Sequence, residues 1–182
     1  EFYQRWLDPS MTYSAGIFSV LNGEIADTDD ALQAAQEAKY RRILEQLNPR
    51  PGQTILEIGC GWGGFAEMAV RDYGLRIHGI TLSPAQLAFA QKRARNGGWS
   101  DNAHFELRDY RDLAGQFDHI VSIEMFEAVG ERFWPSYFKQ LRAGLKPGGR
   151  AVVQSITIAN ERFAAYRRGT DFIQRHIFPG GM

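Results

Sequence analysis

Gly59, Gly61, Gly63 and Gly64 sit directly after the short apolar run Thr54-Ile55-Leu56-Glu57-Ile58. Glycines at such a point let the backbone turn tightly and approach a ligand closely. A G-x-G-x-G pattern alone fits a nicotinamide dinucleotide, S-adenosylmethionine or mere tight packing. Its neighbours discriminate. A dinucleotide site wants an acidic residue near the end of the second strand to hold a ribose. Here that stretch reads Gly79-Ile80-Thr81-Leu82-Ser83, with no carboxylate. Glu57 instead stands just before the glycines, where it would repel a pyrophosphate and suit a cationic methionyl end. S-Adenosylmethionine is the favoured ligand, with the dinucleotide and simple packing as alternatives. Cys60, inside the loop, reads as a small packing residue rather than a nucleophile.

Glu124 and Glu127, in Ser122-Ile123-Glu124-Met125-Phe126-Glu127-Ala128-Val129-Gly130, follow the fourth apolar run. Three apart, they share a face if the segment is helical. For Glu124 an exposed acidic turn is an equal reading. Tyr13-Ser14-Ala15-Gly16, with Tyr3 and Trp6 upstream, offers aromatic faces that attract a sulfonium; plain packing of an N-terminal segment fits as well. Asp109-Tyr110 could meet an adenine or simply end a strand. His78, His104, His119 and His176 show no ligand spacing, and with one cysteine no metal site is expected. No Ser-His-Asp set and no lysine of a phosphate-binding loop accompanies the glycines.

These groups need a scaffold, and the chain supplies one of 182 residues, enough for one core. Lys plus Arg equals Asp plus Glu, 21 each, a balance that argues against a strongly electrostatic nucleic-acid binder while leaving room for a local basic patch. The single cysteine rules out an internal disulfide, and no apolar run approaches the ~20 residues of a membrane span. Residues 29–47 have helical apolar spacing, with Thr28 or Asp29 as cap, and Asn48-Pro49-Arg50-Pro51-Gly52 stops them. Strands are expected at 54–58, 76–82, 104–108, 117–123 and 150–158, and helices at 64–73, 84–96 and 134–145. Ser83-Pro84 starts the second of those helices. Residues 160–178 look helical or irregular. Strands alternating with helices predict an α/β fold, Rossmann-like, with a mostly parallel sheet and helices on both faces. The near-continuous apolar strands agree.

Taken together the motifs resemble the cyclopropane-fatty-acyl-phospholipid synthases and the related mycolic-acid methyltransferases. The resemblance rests on Phe2-Tyr3, Leu7-Asp8, Met11 to Ser14, Leu56 to Phe65, Gly79 to Ser83 with Gln86, Phe126-Glu127 with Gly130, Lys146 to Gly149, and Ile177 to Gly181. It implies a class I S-adenosylmethionine-dependent methyltransferase domain. Within it, 1–28 would cover the cofactor, 29–158 form the core, and 159–182 begin a lipid-binding insertion. Both ends read as cut, which would leave the last two strands of a seven-stranded sheet, and a later tyrosine, beyond Met182. The resemblance places Tyr13, Ser14, Gly59, Gly61, Thr81, Leu82, Gln86, Tyr110 and Ile123 around the cofactor, beside Glu57, Gly63 and Asp109 from the reading above.

The implied reaction transfers a methyl to a cis double bond of a phospholipid acyl chain. A bicarbonate held partly by Glu127 would then take a proton so that a ring closes. Gln154 and Ile156 fall in the same implied pocket. Two positions depart from the pattern: Ala15 stands where the family has Cys, and Gln154 where it often has His. Gln154 still donates and accepts hydrogen bonds, and a methyl-branched product is the alternative outcome. A methyltransferase of a small soluble metabolite and a non-catalytic relative are the rival readings. The implied location is cytoplasmic, peripheral to the inner membrane surface, with Arg162 to Arg168 as candidate contact. No nucleic-acid partner is expected, and a homodimer is left open.

Overall fold

The alternation of apolar runs and helical stretches folds into a five-stranded parallel sheet in the computed structural model, which describes residues 5–21, 24–25, 29–169 and 172–176. Phe2, Tyr3, Thr28 and Ile177 to Gly181 lie outside the described residues. In chain order the elements are β1 (Val20–Leu21) and β2 (Glu24–Ile25), a short antiparallel pair, then α1 (Asp29–Leu47), β3 (Thr54–Ile58), α2 (Gly64–Tyr73), β4 (Arg76–Thr81), α3 (Pro84–Asn96), β5 (Ala103–Leu107), β6 (Phe117–Ile123), α4 (Trp134–Ala143), β7 (Leu145–Gln154), α5 (Asn160–Arg168) and α6 (Phe172–His176). Among the described residues no helix is long and apolar enough to cross a membrane.

The large sheet has the order β5-β4-β3-β6-β7. The chain runs outward from β3 through β4 to β5, then returns to β6 on the other side of β3. That reversal opens a crevice beyond the carboxyl ends of β3 and β6, where ligands of such sheets bind. Alternate side chains of each strand point to opposite faces. Ile55, Ile77, Phe105 and Val121 pack against α1, α2 and α3, whereas Leu56, Ile58, Ile80 and Ile120 pack with Tyr137 and Leu141 of α4. Helix α1 buries Ile43, Leu44 and Leu47, each worth about 1.5–3 kcal/mol, and Tyr40 meets Phe65 edge-on at 5.6 Å.

Local signals act as their chemistry dictates. The Ser83 Oγ accepts from the Gln86 amide at 3.3 Å and Pro84 opens α3. Gly79 is required by a close approach: a Cβ there would lie 2.6 Å from the Phe105 ring. The expected boundaries fail at β7. It begins at Leu145, not Arg150, and ends at Gln154, not Ile158. Leu145 already pairs with Phe117, and the Lys146 to Gly149 turn is absorbed as a shift in register before Arg150 pairs with His119. Pro147 cannot donate to the ladder, so the irregularity falls there.

Candidate functional site

Strand β3 delivers Glu57 and then the glycine loop. The amides of Gly59 and Cys60 both donate to the Ile80 carbonyl, at 3.0 and 2.9 Å, which fastens the loop to β4. Gly61 has φ +52, and a Cβ there would meet the Tyr13 ring at 3.8 Å. The loop, the N-terminal segment and the end of β6 enclose a cleft whose lining includes Tyr13, Ser14, Glu57, Gly59, Gly61 and Ile123.

Glu57 lies at the buried end of this cleft, 3% exposed, and its Oε2 has no hydrogen-bond partner among the described residues. Burial raises its carboxyl well above the ordinary range, and Lys39 opposes that rise. Lys39 of α1 is itself buried and lowered to about 8 by desolvation, against the pull of Glu124, Asp8 and Glu57. Its Nζ donates to the Ser14 Oγ at 2.6 Å and to the Gln36 side chain. The Gln36 amide in turn donates to the Ser14 carbonyl at 2.7 Å.

The segment that roofs the cleft is fixed by long-range bonds. Arg93 of α3 donates to the Ser10 carbonyl at 2.6 Å and the Pro9 and Trp62 carbonyls at 3.3 Å, while its Nε meets Glu67 at 2.6 Å. One guanidinium thus joins the N-terminal segment, the glycine loop and α2. The Thr12 hydroxyl bonds the buried Tyr40 hydroxyl. Tyr13 is reached through a relay: Thr81 donates to the Gln86 Oε1 at 2.8 Å, and the Gln86 amide donates to the Tyr13 hydroxyl at 3.1 Å.

The two glutamates after β6 have separate partners. Glu124 sits at φ +47, a left-handed conformation rare for such a residue. Its Oε1 accepts from the Ala15 amide and from Gln154 Nε2, both at 2.9 Å. It is a half-buried joint rather than an exposed acidic turn, and it connects the two positions that depart from the family pattern. Glu127 Oε1 accepts from the Ser155 hydroxyl at 3.0 Å and from the Ile156 amide. Its Oε2 is buried and has no hydrogen-bond partner among the described residues.

Other expected residues stand elsewhere. Gly63 turns toward α3, where a Cβ would lie 3.2 Å from that of Ala90. Leu82 is exposed. Asp109 is taken up by Arg111, whose side chain and amide bond its carboxylate and hold it below the usual range. Tyr110 packs edge-on to Tyr137 at 5.3 Å. Neither these four nor Thr81, Gln86, Glu127, Gln154 and Ile156 line the cleft. Gln36, Lys39 and Arg93 escaped the sequence reading. Their only signal is that Gln36 and Lys39, three apart, interrupt the small and apolar face of α1 with groups that need partners.

A family model described as mycolic acid cyclopropane synthetase matches residues 1–182. The chain is 39% identical over its whole length to the tuberculostearic acid methyltransferase UfaA1 of Mycobacterium tuberculosis, covering 42% of that protein. It is 36% identical to the cyclopropane-fatty-acyl-phospholipid synthase of Escherichia coli K12, again over the whole chain and 43% of that protein. It therefore spans about two-fifths of the length of these relatives. The mycolic acid cyclopropane synthase CmaA1, solved in complex with SAH and CTAB, superposes with a TM-score of 0.83 at 32% identity, over 99% of this chain and 64% of that one. MmaA2 from Mycobacterium tuberculosis gives 0.85 at 29%, over 100% and 64%. With the parallel sheet, the glycine loop and the match along its full length, the chain belongs to the mycolic acid cyclopropane synthetase family.

Proposed function

We propose that this chain is the cofactor-binding core of an enzyme that transfers a methyl group from S-adenosylmethionine to the cis double bond of an unsaturated phospholipid acyl chain. The product would be a cyclopropane or methyl-branched fatty acid. The observation that carries this reading is the buried, unpartnered Glu57 oxygen in a cleft bounded by Gly61 and the Tyr13 ring. Those residues fit a ligand with a cationic amino-acid end and a sulfonium. Glu57 offers an acceptor to the cationic end, Gly59 and Gly61 leave room along the loop, and the Tyr13 face favours a positive charge. Gln86 orients Tyr13. When bound, S-adenosylmethionine supplies an electrophilic methyl; the protein's part is to position it and to keep water out.

After methyl transfer to an alkene a proton must leave. In this reading Glu127, just outside the cleft lining, receives it: one oxygen is held by Ser155 and Ile156, and the other has no hydrogen-bond partner among the described residues. The donors that would face a bicarbonate are otherwise engaged. Gln154 is bonded to Glu124 and the Ile156 amide to Glu127. The groups expected to face a bicarbonate therefore do not fit one, and Glu127 is itself the proton acceptor in this reading. Tyr13 and Ser14 act as part of the cofactor cover, and Asp109, Tyr110, Thr81 and Leu82 as outer contacts around the sheet's carboxyl edge.

The enzyme would meet its lipid from the cytoplasmic side, peripherally. Helix α5 presents Arg162 and Arg168 exposed, while Arg167 is paired with Glu131 at 2.8 Å. The first two thus carry the candidate membrane contact. The test is incubation of the full-length protein with S-adenosylmethionine and vesicles of unsaturated phospholipid, followed by mass analysis of the fatty acids. A gain of one carbon on an unsaturated chain is expected. Gly61→Val should abolish cofactor binding by calorimetry, because a branched side chain fills the space beneath Tyr13. Unchanged affinity in that variant, or transfer to soluble acceptors alone, would overturn the reading.

A further inference from the structure

We propose that His78, His104 and Glu106 form a site for zinc or a similar late transition-metal dication, clamping β5 to β4 on the sheet face that carries α4. Parallel pairing places His78 directly beside His104, and Ile80 beside Glu106. His104 and Glu106, two apart on β5, therefore share a face with His78. One donor atom from each lies within 4.8 Å of the others, so a point about 2.8 Å or less from all three exists. Small side-chain rotations reach the ~2.0–2.2 Å bonds zinc makes to imidazole nitrogen and carboxylate oxygen.

The neighbours suit such a site. The His78 Nε2 is already in contact with Glu106 Oε1, and the two imidazoles meet edge-on at 5.0 Å. Phe117 packs against the His78 ring at 5.3 Å and limits its rotation. Arg108 pairs with the other oxygen, Glu106 Oε2, at 3.1 Å, which fixes the carboxylate and leaves Oε1 toward the histidines. Such outer partners orient metal ligands. Two imidazoles and one carboxylate favour zinc, copper or nickel over magnesium or calcium, which want oxygen donors. His104 is exposed, so a fourth position faces solvent. The three residues do not line the cleft described above. The site is thus a staple on the strand beyond β4 and stands apart from the proposed methyl transfer.

The experiment uses the untagged chain, stripped with chelator and titrated with zinc chloride by calorimetry, with cobalt chloride as an absorbing substitute. One equivalent per chain is expected, together with a rise in melting temperature. His104→Ala should weaken binding on the order of tenfold or more, and Glu106→Gln likewise. His104 is exposed, so its loss leaves the fold intact, whereas His78→Ala removes a packed ring and is a poorer test. His119→Ala and His176→Ala should leave affinity unchanged, and excess magnesium chloride should not compete. Absence of a stoichiometric site, unchanged affinity in His104→Ala, or displacement by magnesium would overturn the proposal and leave a histidine–glutamate contact.

Discussion

Lys39→Met removes a charge that the protein buries to hold the cleft's cover in place. The lysine is 2% exposed, and its ammonium donates to Ser14 and Gln36 while lying 4.6 Å from the Tyr40 ring centroid. Burial lowers it from the ordinary 10.5 to about 8, a difference worth about 3 kcal/mol at ~1.4 kcal/mol per pH unit. The sign follows from proton counting. Below pH 8 folded and unfolded chains both hold the proton, and the burial cost is present in full. Between about pH 8 and 10.5 the unfolded lysine keeps its proton and the folded one loses it. Stability therefore rises with pH through that window, and the methionine variant lacks this rise. Urea unfolding of both proteins at half-unit steps from pH 7 to 10.5 gives the difference in stability directly. Carboxylates are ionised throughout unless buried, and most other groups cancel in the difference. The parent should gain about 3 kcal/mol on the variant from one end of the range to the other. Parallel stability curves would mean that Lys39 is not buried as a cation, and the electrostatic account of the cleft would fall with it.

Two further perturbations separate the site's parts. In the full-length protein Glu127→Gln should lower turnover about 10²-fold or more with cofactor affinity within a few-fold, because the proposed proton acceptor is lost. Glu124→Gln keeps an oxygen for Ala15 and Gln154 and should cost on the order of 1 kcal/mol of stability with a smaller loss of turnover; steady-state kinetics that reversed the two would refute the assignment. Gly79→Ala should destabilise the chain by about 1–3 kcal/mol in thermal melts, because its methyl would meet the Phe105 ring at 2.6 Å and the Cys60 Cβ at 3.0 Å.

The class of the fold and most of its elements were legible in the order of the residues. Helix α1 starts and stops where its spacing and the Asn48-Pro49 break predict, and β3, β6 and α3 match their expected ranges. These features depend on residues one to four positions apart, so neighbours carry the information. The glycine loop after a strand bearing Glu57 also pointed to the crevice beyond β3, where the structure has a cleft, since backbone freedom and strand order are local or topological facts. The remainder came from long-range packing. The register shift that lengthens β7 depends on Phe117 in another strand. Glu124 became a joint because Ala15 and Gln154, 109 and 30 positions away, converge on it. Arg93 joins carbonyls 83 and 31 positions distant. His78 and His104, with no ligand spacing in the chain, become neighbours because β4 and β5 pair in that register. Residue types limit which side chains can bond, but desolvation and pairing select partners only when the sheet order brings distant strands together, and no local pattern encodes that distance.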